Sequence, residues 1–224
     1  MTDSKHPFIP YSGKSYSSEE MIERSKSFYE WADKRRSVRE FSSKPVPKEV
    51  MENILMTASS APSGAHKQPW TFCLISNATL KSKIRELAEE EERKSYEGRM
   101  SEAWLKDLEP LGTDAVKEFI DIAPWVVIVM KRPYEITEDG GKHQNYYVAE
   151  SVGLASGFLL MAIHNAGLVA LTHTPSPMNF IAKALERPEN ERPFLLIPVG
   201  YAAEDAQVPD LTRKSNLDVI EYYY

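Results

Sequence analysis

Arg35-Arg36-Ser37-Val38-Arg39 puts three guanidiniums and a hydroxyl within five residues. Each guanidinium is a planar fork matched to phosphate oxygens, so the cluster has the chemistry to hold a phosphorylated ligand. The same pattern also describes a solvated basic turn after an acidic helix. A second segment, Ala61-Pro62-Ser63-Gly64-Ala65-His66-Lys67-Gln68-Pro69-Trp70, is rich in small residues. Such residues let a flat ligand approach the backbone and its N–H donors. It reads equally well as a turn between helix and strand. A third, Leu171-Thr172-His173-Thr174-Pro175, sets two hydroxyls at the end of a strand, where ligands of layered α/β proteins commonly bind. The plainer reading there is a strand cap, with His173 structural.

Other chemistries lack their signatures. No Gly-x-Gly-x-x-Gly or P-loop pattern occurs, nor His-Glu-x-x-His, Cys-x-x-Cys or Gly-x-Ser-x-Gly. The histidines, at positions 6, 66, 143, 164 and 173, show no metal-ligand spacing, so no metal site is expected. The lone cysteine, Cys73, lies in an apolar run and reads as inert core. It excludes an intrachain disulfide and suits a reducing compartment. Lys and Arg total 27 against 33 Asp and Glu, a net charge of −6. An acidic balance disfavours a nucleic-acid partner. The 224 residues, 42% hydrophobic and 27% charged, are globular in composition and best read as one domain. No run approaches the ~18 apolar residues of a membrane span, and the N-terminus has no basic-then-apolar signal pattern. The expectation is a soluble, cytoplasmic protein.

The elements that must position these groups alternate between helix and strand. An arm over 1–24 precedes a helix over Ser25 to Lys34. Pro45-Val46-Pro47 opens a helix with Val50, Met51, Ile54, Leu55 and Ala58 at helical spacing. Trp70 to Ser76 reads as a strand, Thr79 to about Arg99 as a long charged helix, and Thr113 to Ile122 as another. Trp125 to Met130 is continuously apolar, the pattern of a buried strand. Tyr146 to Asn165 is the most apolar helix, and Ala149, Gly153, Ser156 and Gly157 could let a second backbone approach. Alternatively, it is a buried core helix in a monomer. Leu168 to Thr172 reads as a strand, Pro177 to Leu185 as a helix, and Phe194 to Tyr201 as a strand. The tail from Asp210 ends in a possible strand, Asp-Val-Ile-Glu-Tyr-Tyr-Tyr, able to pair in its own sheet or with a partner chain. This is an α/β or α+β layered pattern.

Arg-Arg-Ser-Val-Arg-Glu-Phe, Ala-Pro-Ser-Gly-Ala-His-Lys-Gln-Pro-Trp, the Thr-x-Thr strand end, Pro-Val-Gly-Tyr and Asp210-Leu211-Thr212-Arg213-Lys214 occur in that order. The set resembles the FMN-dependent nitroreductase superfamily from about Phe28 to Leu217. Within it, the Ala-Pro-Ser-Gly-Ala-His segment and an insertion from Arg85 to Lys117 resemble the halotyrosine-dehalogenating branch. The resemblance implies an α+β nitroreductase-like fold, a central mixed or antiparallel sheet flanked by helices, in a domain-swapped homodimer. It implies a single FMN-binding domain with a substrate lid at about 85–117 and a C-terminal extension over 208–224. Vertebrate members of that branch carry an N-terminal membrane anchor that this sequence does not show, so an unanchored form is expected.

The resemblance also assigns roles. Arg35, Arg36, Ser37, Arg39 and Arg213 would hold the FMN phosphate, ribityl chain and ring edge. Pro62, Ser63 and Gly64 would come from the other subunit. Thr172, His173 and Thr174 would lie beside the flavin ring, with Thr174 bonded to N5. Glu92 and Tyr96 are four apart, on one helix face, and Lys117 arrives from the next helix. Together they would bind the ammonium and carboxylate of an amino acid, while the Ala65 N–H binds its phenolate oxygen. Glu89, Glu90 and Glu91 read as a solvated helix face, with Arg85 paired to Glu89. The implied reaction is FMN-dependent reduction of 3-iodotyrosine and its bromo and chloro analogues to tyrosine and halide. A separate reductase or direct NAD(P)H use would supply the electrons. The rival is a general FMN nitroreductase or quinone reductase using NAD(P)H, which needs no zwitterion clamp. A flavin-binding protein without turnover, or a flavin-free structural dimer, are readings of other classes.

Overall fold

Trp125–Lys131 (β2) forms the centre of a sheet because its apolar run lets both faces be covered, and Val126 to Met130 are fully buried. In this computed structural model, which describes residues 6–224, Trp70–Ile75 (β1) and Arg192–Gly200 (β6) flank β2, both antiparallel. Val169–Ala170 (β5) pairs with β6, giving the order β1-β2-β6-β5. A second hairpin, Tyr134–Ile136 (β3) with Lys142–Gln144 (β4), stands apart.

The pleat sorts β2 and β6 into two cores. Val127, Val129, Ile197 and Val199 point to one face, with Lys48–Ser59 (α2) and Val148–Asn165 (α6). There Met51, Ile54 and Ala58 of α2 meet Val152, Ala155, Leu159 and Ile163 of α6. Val126, Ile128, Met130 and Leu196 point to the other face, against Ala78–Lys94 (α3), Phe119–Ile122 (α5) and Asn179–Ala184 (α7). Full burial of each such side chain stabilises the fold by about 1.5–3 kcal/mol. The α+β layered class follows directly.

The chain falls into two compact units, one ending at Arg35 and one spanning Arg36–Tyr224. The first holds Ser18–Asp33 (α1), capped by the Ser17 hydroxyl and burying none of its residues. This helix starts earlier than expected, so the arm is shorter than 1–24; its first five residues lie outside the described ones.

Several boundaries differ from the sequence reading. Of Thr113 to Ile122 only α5 is helical, because Gly112 takes a left-handed conformation and the Asp114 carboxylate captures the Val116 N–H. Glu102–Leu108 (α4), capped by Ser101, was not expected. The strand expected over 168–172 is only β5, but its register resumes at His173, which exchanges two backbone bonds with Leu196 (2.9 and 3.0 Å). The tail is not a strand. Ser215 and Asp218 form a capping box that starts the short helix Asn216–Val219 (α8). Finally, α6 spans 18 residues at a mean hydropathy of 1.2, long and apolar enough to cross a membrane, contrary to expectation. Glu150 is its only charged residue, so small and weakly polar side chains keep the average high; its buried stripe is committed to the core.

Candidate active site

The segment expected to form a lid is built on α3. Its charged face is set by Asn77, which caps the Leu80 N–H, and by Ile84 and Ala88, which anchor the opposite side in the core. A single π turn, Ser95–Arg99, continues it and carries Tyr96. Glu92 Oε2 stands 3.4 Å from Lys117 Nζ, and their side chains are only 10% and 3% exposed. Lys117 Nζ also donates to the Asp114 carbonyl, and lies 5.9 Å from the Tyr96 ring centroid. The Tyr96 hydroxyl donates to the Thr113 carbonyl at 3.1 Å. Thus Glu92, Tyr96 and Lys117 converge, with carboxylate and ammonium neutralising each other, although Lys117 comes from the loop before α5 and not from a helix. Burial raises the Glu92 pKa, and the Lys117 charge opposes that only in part. Burial likewise raises the Tyr96 phenol. Beside them, Arg39, Phe41, Thr113, Val116 and Phe119 line a cavity of about 340 Å³, within the size range of small-molecule sites.

The loop after α2 is held tightly. Ser63 Oγ accepts the Gln68 N–H (2.9 Å), and Ser151 Oγ of α6 accepts the Gly64 N–H (3.2 Å). Ala65, His66 and Gln68 all adopt positive φ, at 49°, 55° and 47°. Such strain in non-glycine residues concentrates at functional sites. Pro62 and Ala65 are exposed, and among the described residues the Ala65 N–H makes no hydrogen bond. The bonds described for the loop run within it, to the end of α2, to Ser151, to His143 and to Arg132, not to the arginine segment or to Thr172–Thr174. A Cβ on Gly64 would lie 2.8 Å from the Tyr146 carbonyl oxygen and 2.9 Å from the Tyr147 ring. Gly64→Ala is therefore expected to cost about 1–3 kcal/mol, the usual cost of overpacking. The urea midpoint checks this, and an unchanged midpoint would show that the loop yields freely.

The arginine segment is pinned beside the sheet. Ser37 bridges Ala170 in parallel, the Val38 N–H donates to the Ala170 carbonyl (3.1 Å), and buried Val38 turns inward. Arg36, Ser37 and Arg39 are half-buried. The Arg36 guanidinium donates to the Pro209 carbonyl, drawing in the segment that leads to exposed Arg213. Arg35 belongs to the first unit and bonds there to Ala32.

At the strand end Thr172 and Thr174 are exposed while His173 between them turns inward, as period-two backbone requires. The His173 ring packs edge-on against Phe119 at 5.7 Å, and its Nε2 is buried without a partner among the described residues. Burial, reinforced by the positive charges of Lys117 and Arg39, lowers its pKa to about 3. His173 thus shares neither the side nor the surroundings of the two threonines. Cys73 faces the core, and burial raises its thiol pKa, consistent with an inert role.

Sequence reasoning missed one participant. Glu89, read as solvated, is 15% exposed, and its Oε1 accepts the backbone N–H of Lys117 at 2.8 Å. Its i,i+3 spacing from Glu92 was the available signal.

This fold and its site define a class. The chain belongs to the nitroreductase family, whose model matches residues 32–201. Among individual proteins, it is 60% identical over 219 residues to a protein named iodotyrosine deiodinase from Haliscomenobacter hydrossis, covering 98% of this chain and 99% of that one. A protein of the same name from Hydra vulgaris is 50% identical over 211 residues, 94% of this chain and 78% of the relative. Among solved structures, oxidized iodotyrosine deiodinase bound to FMN and 3-iodo-L-tyrosine superimposes with a TM-score of 0.74 at 30% identity. That match covers 88% of this chain and 98% of the other.

Proposed function

We infer that this chain is a flavin-dependent oxidoreductase that reductively dehalogenates halotyrosines, 3-iodotyrosine and its bromo and chloro analogues, to tyrosine and halide. The observation that carries this reading is the buried Glu92–Lys117 pair with Tyr96 beside it. A general nitroreductase has no use for opposite charges at that spacing, whereas an amino acid needs an anion for its ammonium and a cation for its carboxylate. The 60% identity to a named iodotyrosine deiodinase, and the likeness to one holding FMN and 3-iodo-L-tyrosine, support it.

The residues present fit FMN. Half-buried Arg36 and Arg39 with Ser37 give a cationic segment fixed to the sheet, and Thr172 and Thr174 present two hydroxyls on one exposed side. We assign Arg36, Ser37 and Arg39, with Arg213, to the phosphate, ribityl chain and ring edge. Thr172 and Thr174 would hold the flavin ring, with the Thr174 hydroxyl as the group for N5; His173, whose ring turns inward and whose backbone N–H and carbonyl bond to Leu196, would instead fix the strand end that presents them. FMN, when bound and reduced, supplies the two electrons that, with one proton, turn the carbon–halogen bond into a carbon–hydrogen bond and free halide.

The chain's own groups do the rest. Glu92 binds the substrate ammonium, Lys117 its carboxylate, and the Tyr96 hydroxyl turns from the Thr113 carbonyl to donate its bond to the substrate. The Ala65 N–H, on an exposed residue and without a partner among the described residues, donates to the phenolate oxygen and holds the ring in register. A closed lid excludes water and strengthens each of these contacts.

We also assign a homodimer. Ala149, Gly153, Leu154, Gly157 and Phe158 form one exposed stripe on α6, and a Cβ at either glycine meets open space. Ser156, expected in that stripe, instead turns inward and bonds to the Val152 carbonyl. Among the described residues the outer edge of β1 carries no strand, and the last residues of the tail are exposed tyrosines. A second copy accounts for these surfaces and brings Pro62, Ser63 and Gly64 to the other chain's flavin. Sedimentation of the holoprotein at twice the chain mass is the expected result, and a monomer that retains FMN rejects it. A cytoplasmic setting suits the single thiol, and cell fractionation tests it. Reduction of the holoprotein by NADPH alone, against reduction that needs an added reductase, separates the two electron sources.

The central test adds 3-iodo-L-tyrosine to the anaerobic, chemically reduced holoprotein. Stoichiometric tyrosine and oxidised flavin are expected. Flavin that stays reduced, yet is discharged by a nitroarene, overturns the halotyrosine reading in favour of a general nitroreductase.

A further inference from the structure

Lys81, Ser82, Arg85, Glu89 and Glu92 lie along one side of α3 and face the segment from Lys117 to Ala123. Lys81 Nζ donates to the carbonyls of Asp121 (2.8 Å) and Ala123 (2.6 Å), closing the end of α5. Ser82 Oγ and Arg85 each bond to one oxygen of the Asp121 carboxylate, at 3.1 and 3.0 Å. Arg85 Nε also donates to Glu89 Oε1 at 2.7 Å, and that same oxygen accepts the Lys117 N–H at 2.8 Å. Glu92, three residues on, takes the other end of Lys117, its ammonium. Lys117 is therefore gripped twice by α3, through its backbone at Glu89 and through its side chain at Glu92.

The two grips differ in what substrate does to them. A bound amino acid competes for Glu92 with its own ammonium and for Lys117 with its own carboxylate, so the ion pair must loosen. The Glu89 bond involves no group the substrate uses, and it persists. We propose that Glu89 is a positioning residue for the substrate-binding ammonium: it fixes the Lys117 backbone against α3, so that Lys117 stays aimed at the substrate carboxylate once Glu92 has exchanged partners. This rests on the halotyrosine reading above. Burial by itself acts to raise the Glu89 pKa, but the Arg85 guanidinium and the Lys117 N–H outweigh it and lower it. The carboxylate is thus held in its charged, accepting form. Arg85, through its shared bond, keeps that carboxylate aimed and ties it to Asp121.

The test compares Glu89→Ala and Glu89→Gln in the FMN-loaded protein. Gln retains an oxygen for the Lys117 N–H, whereas Ala does not. In Glu89→Ala, the dissociation constant of 3-iodo-L-tyrosine is expected to rise about tenfold, the effect of losing a hydrogen bond to a charged group. In Glu89→Gln it rises less than about threefold. Hydrogen–deuterium exchange over 113–119 is expected to quicken in Glu89→Ala alone. If Glu89→Ala does not fold, Glu89→Asp keeps the charge for Arg85 while withdrawing the oxygen from Lys117, and takes its place. Equal affinity in Glu89→Ala and wild type overturns the proposal. So do equal losses in Ala and Gln without a change in exchange. A wild-type protein that does not bind 3-iodo-L-tyrosine instead overturns the halotyrosine reading. Exchange then still decides whether Glu89 holds Lys117.

Discussion

Glu92→Gln is expected to lower kcat/KM for 3-iodo-L-tyrosine about a hundredfold, with most of the loss in KM. The substitution keeps the size and planarity of the side chain and removes only its charge. That charge is 10% exposed and sits 3.4 Å from an ammonium that is 3% exposed, so water cannot replace it. Breaking a buried pair by removing one partner costs about 3–5 kcal/mol. The amide dipole recovers a share, and about 2.7 kcal/mol, or a hundredfold, remains. The loss falls on binding because the proposed clamp would engage the amino-acid end of the substrate in ground and transition states alike. Nitroarene reduction by the same holoprotein uses no ammonium and is expected to change less than about twofold. Steady-state kinetics with both substrates decide. A parallel fall in the two activities would reject the clamp and favour a general nitroreductase.

The second large effect is on stability against pH. His173 is neutral in the fold, with a pKa near 3 where the free side chain has 6.5. Its folded value is depressed, so the unfolded chain takes up the proton first as pH falls. The stabilising contribution is complete above pH 6.5 and is lost progressively down to about pH 3. The slope is about 1.4 kcal/mol per pH unit, or about 2.7 kcal/mol by pH 4.5. The cause is the setting of the ring: it is buried against Phe119, with Lys117 and Arg39 contributing positive charge. Glu92 acts in the opposite sense, since its pKa is raised and its burial costs least once it is protonated. His173→Gln removes one titrating group and leaves the other. Urea unfolding of both proteins between pH 7 and 5 is expected to show a markedly flatter dependence in the variant. Equal slopes would show that His173 takes up a proton without cost to the fold.

Three levels of the molecule were legible in the sequence to different degrees. The sheet and its helices were legible where periodicity is strong. The unbroken apolar run of β2 announced a strand covered on both sides, and the spacing of Met51, Ile54 and Ala58 announced the buried face of α2. Boundaries failed where side chains compete with the backbone. Asp114 and Gly112 cut short a helix that its residue types otherwise favour, and the Ser215–Asp218 capping box turned an apolar tail into a helical turn. The hairpin of β3 and β4 was missed because its strands are three residues long and carry little pattern.

Residue chemistry and local spacing determined which groups this protein offers: clustered guanidiniums, paired hydroxyls, a carboxylate and a phenol one helical turn apart. Only the tertiary structure decided which of them are brought together, buried or left exposed. Glu89 and Glu90 are neighbours in a run of four glutamates, yet Glu89 is 15% exposed and bonds to Lys117, while Glu90 is 54% exposed and pairs with Lys94. Arg36 reaches a carbonyl 173 residues away, and His173 faces a different side from the threonines on either hand. Spacing along the chain fixes direction within one element. Burial and partnership depend on what the rest of the chain brings against it, and those long-range encounters set both the charge of Glu92 and the neutrality of His173.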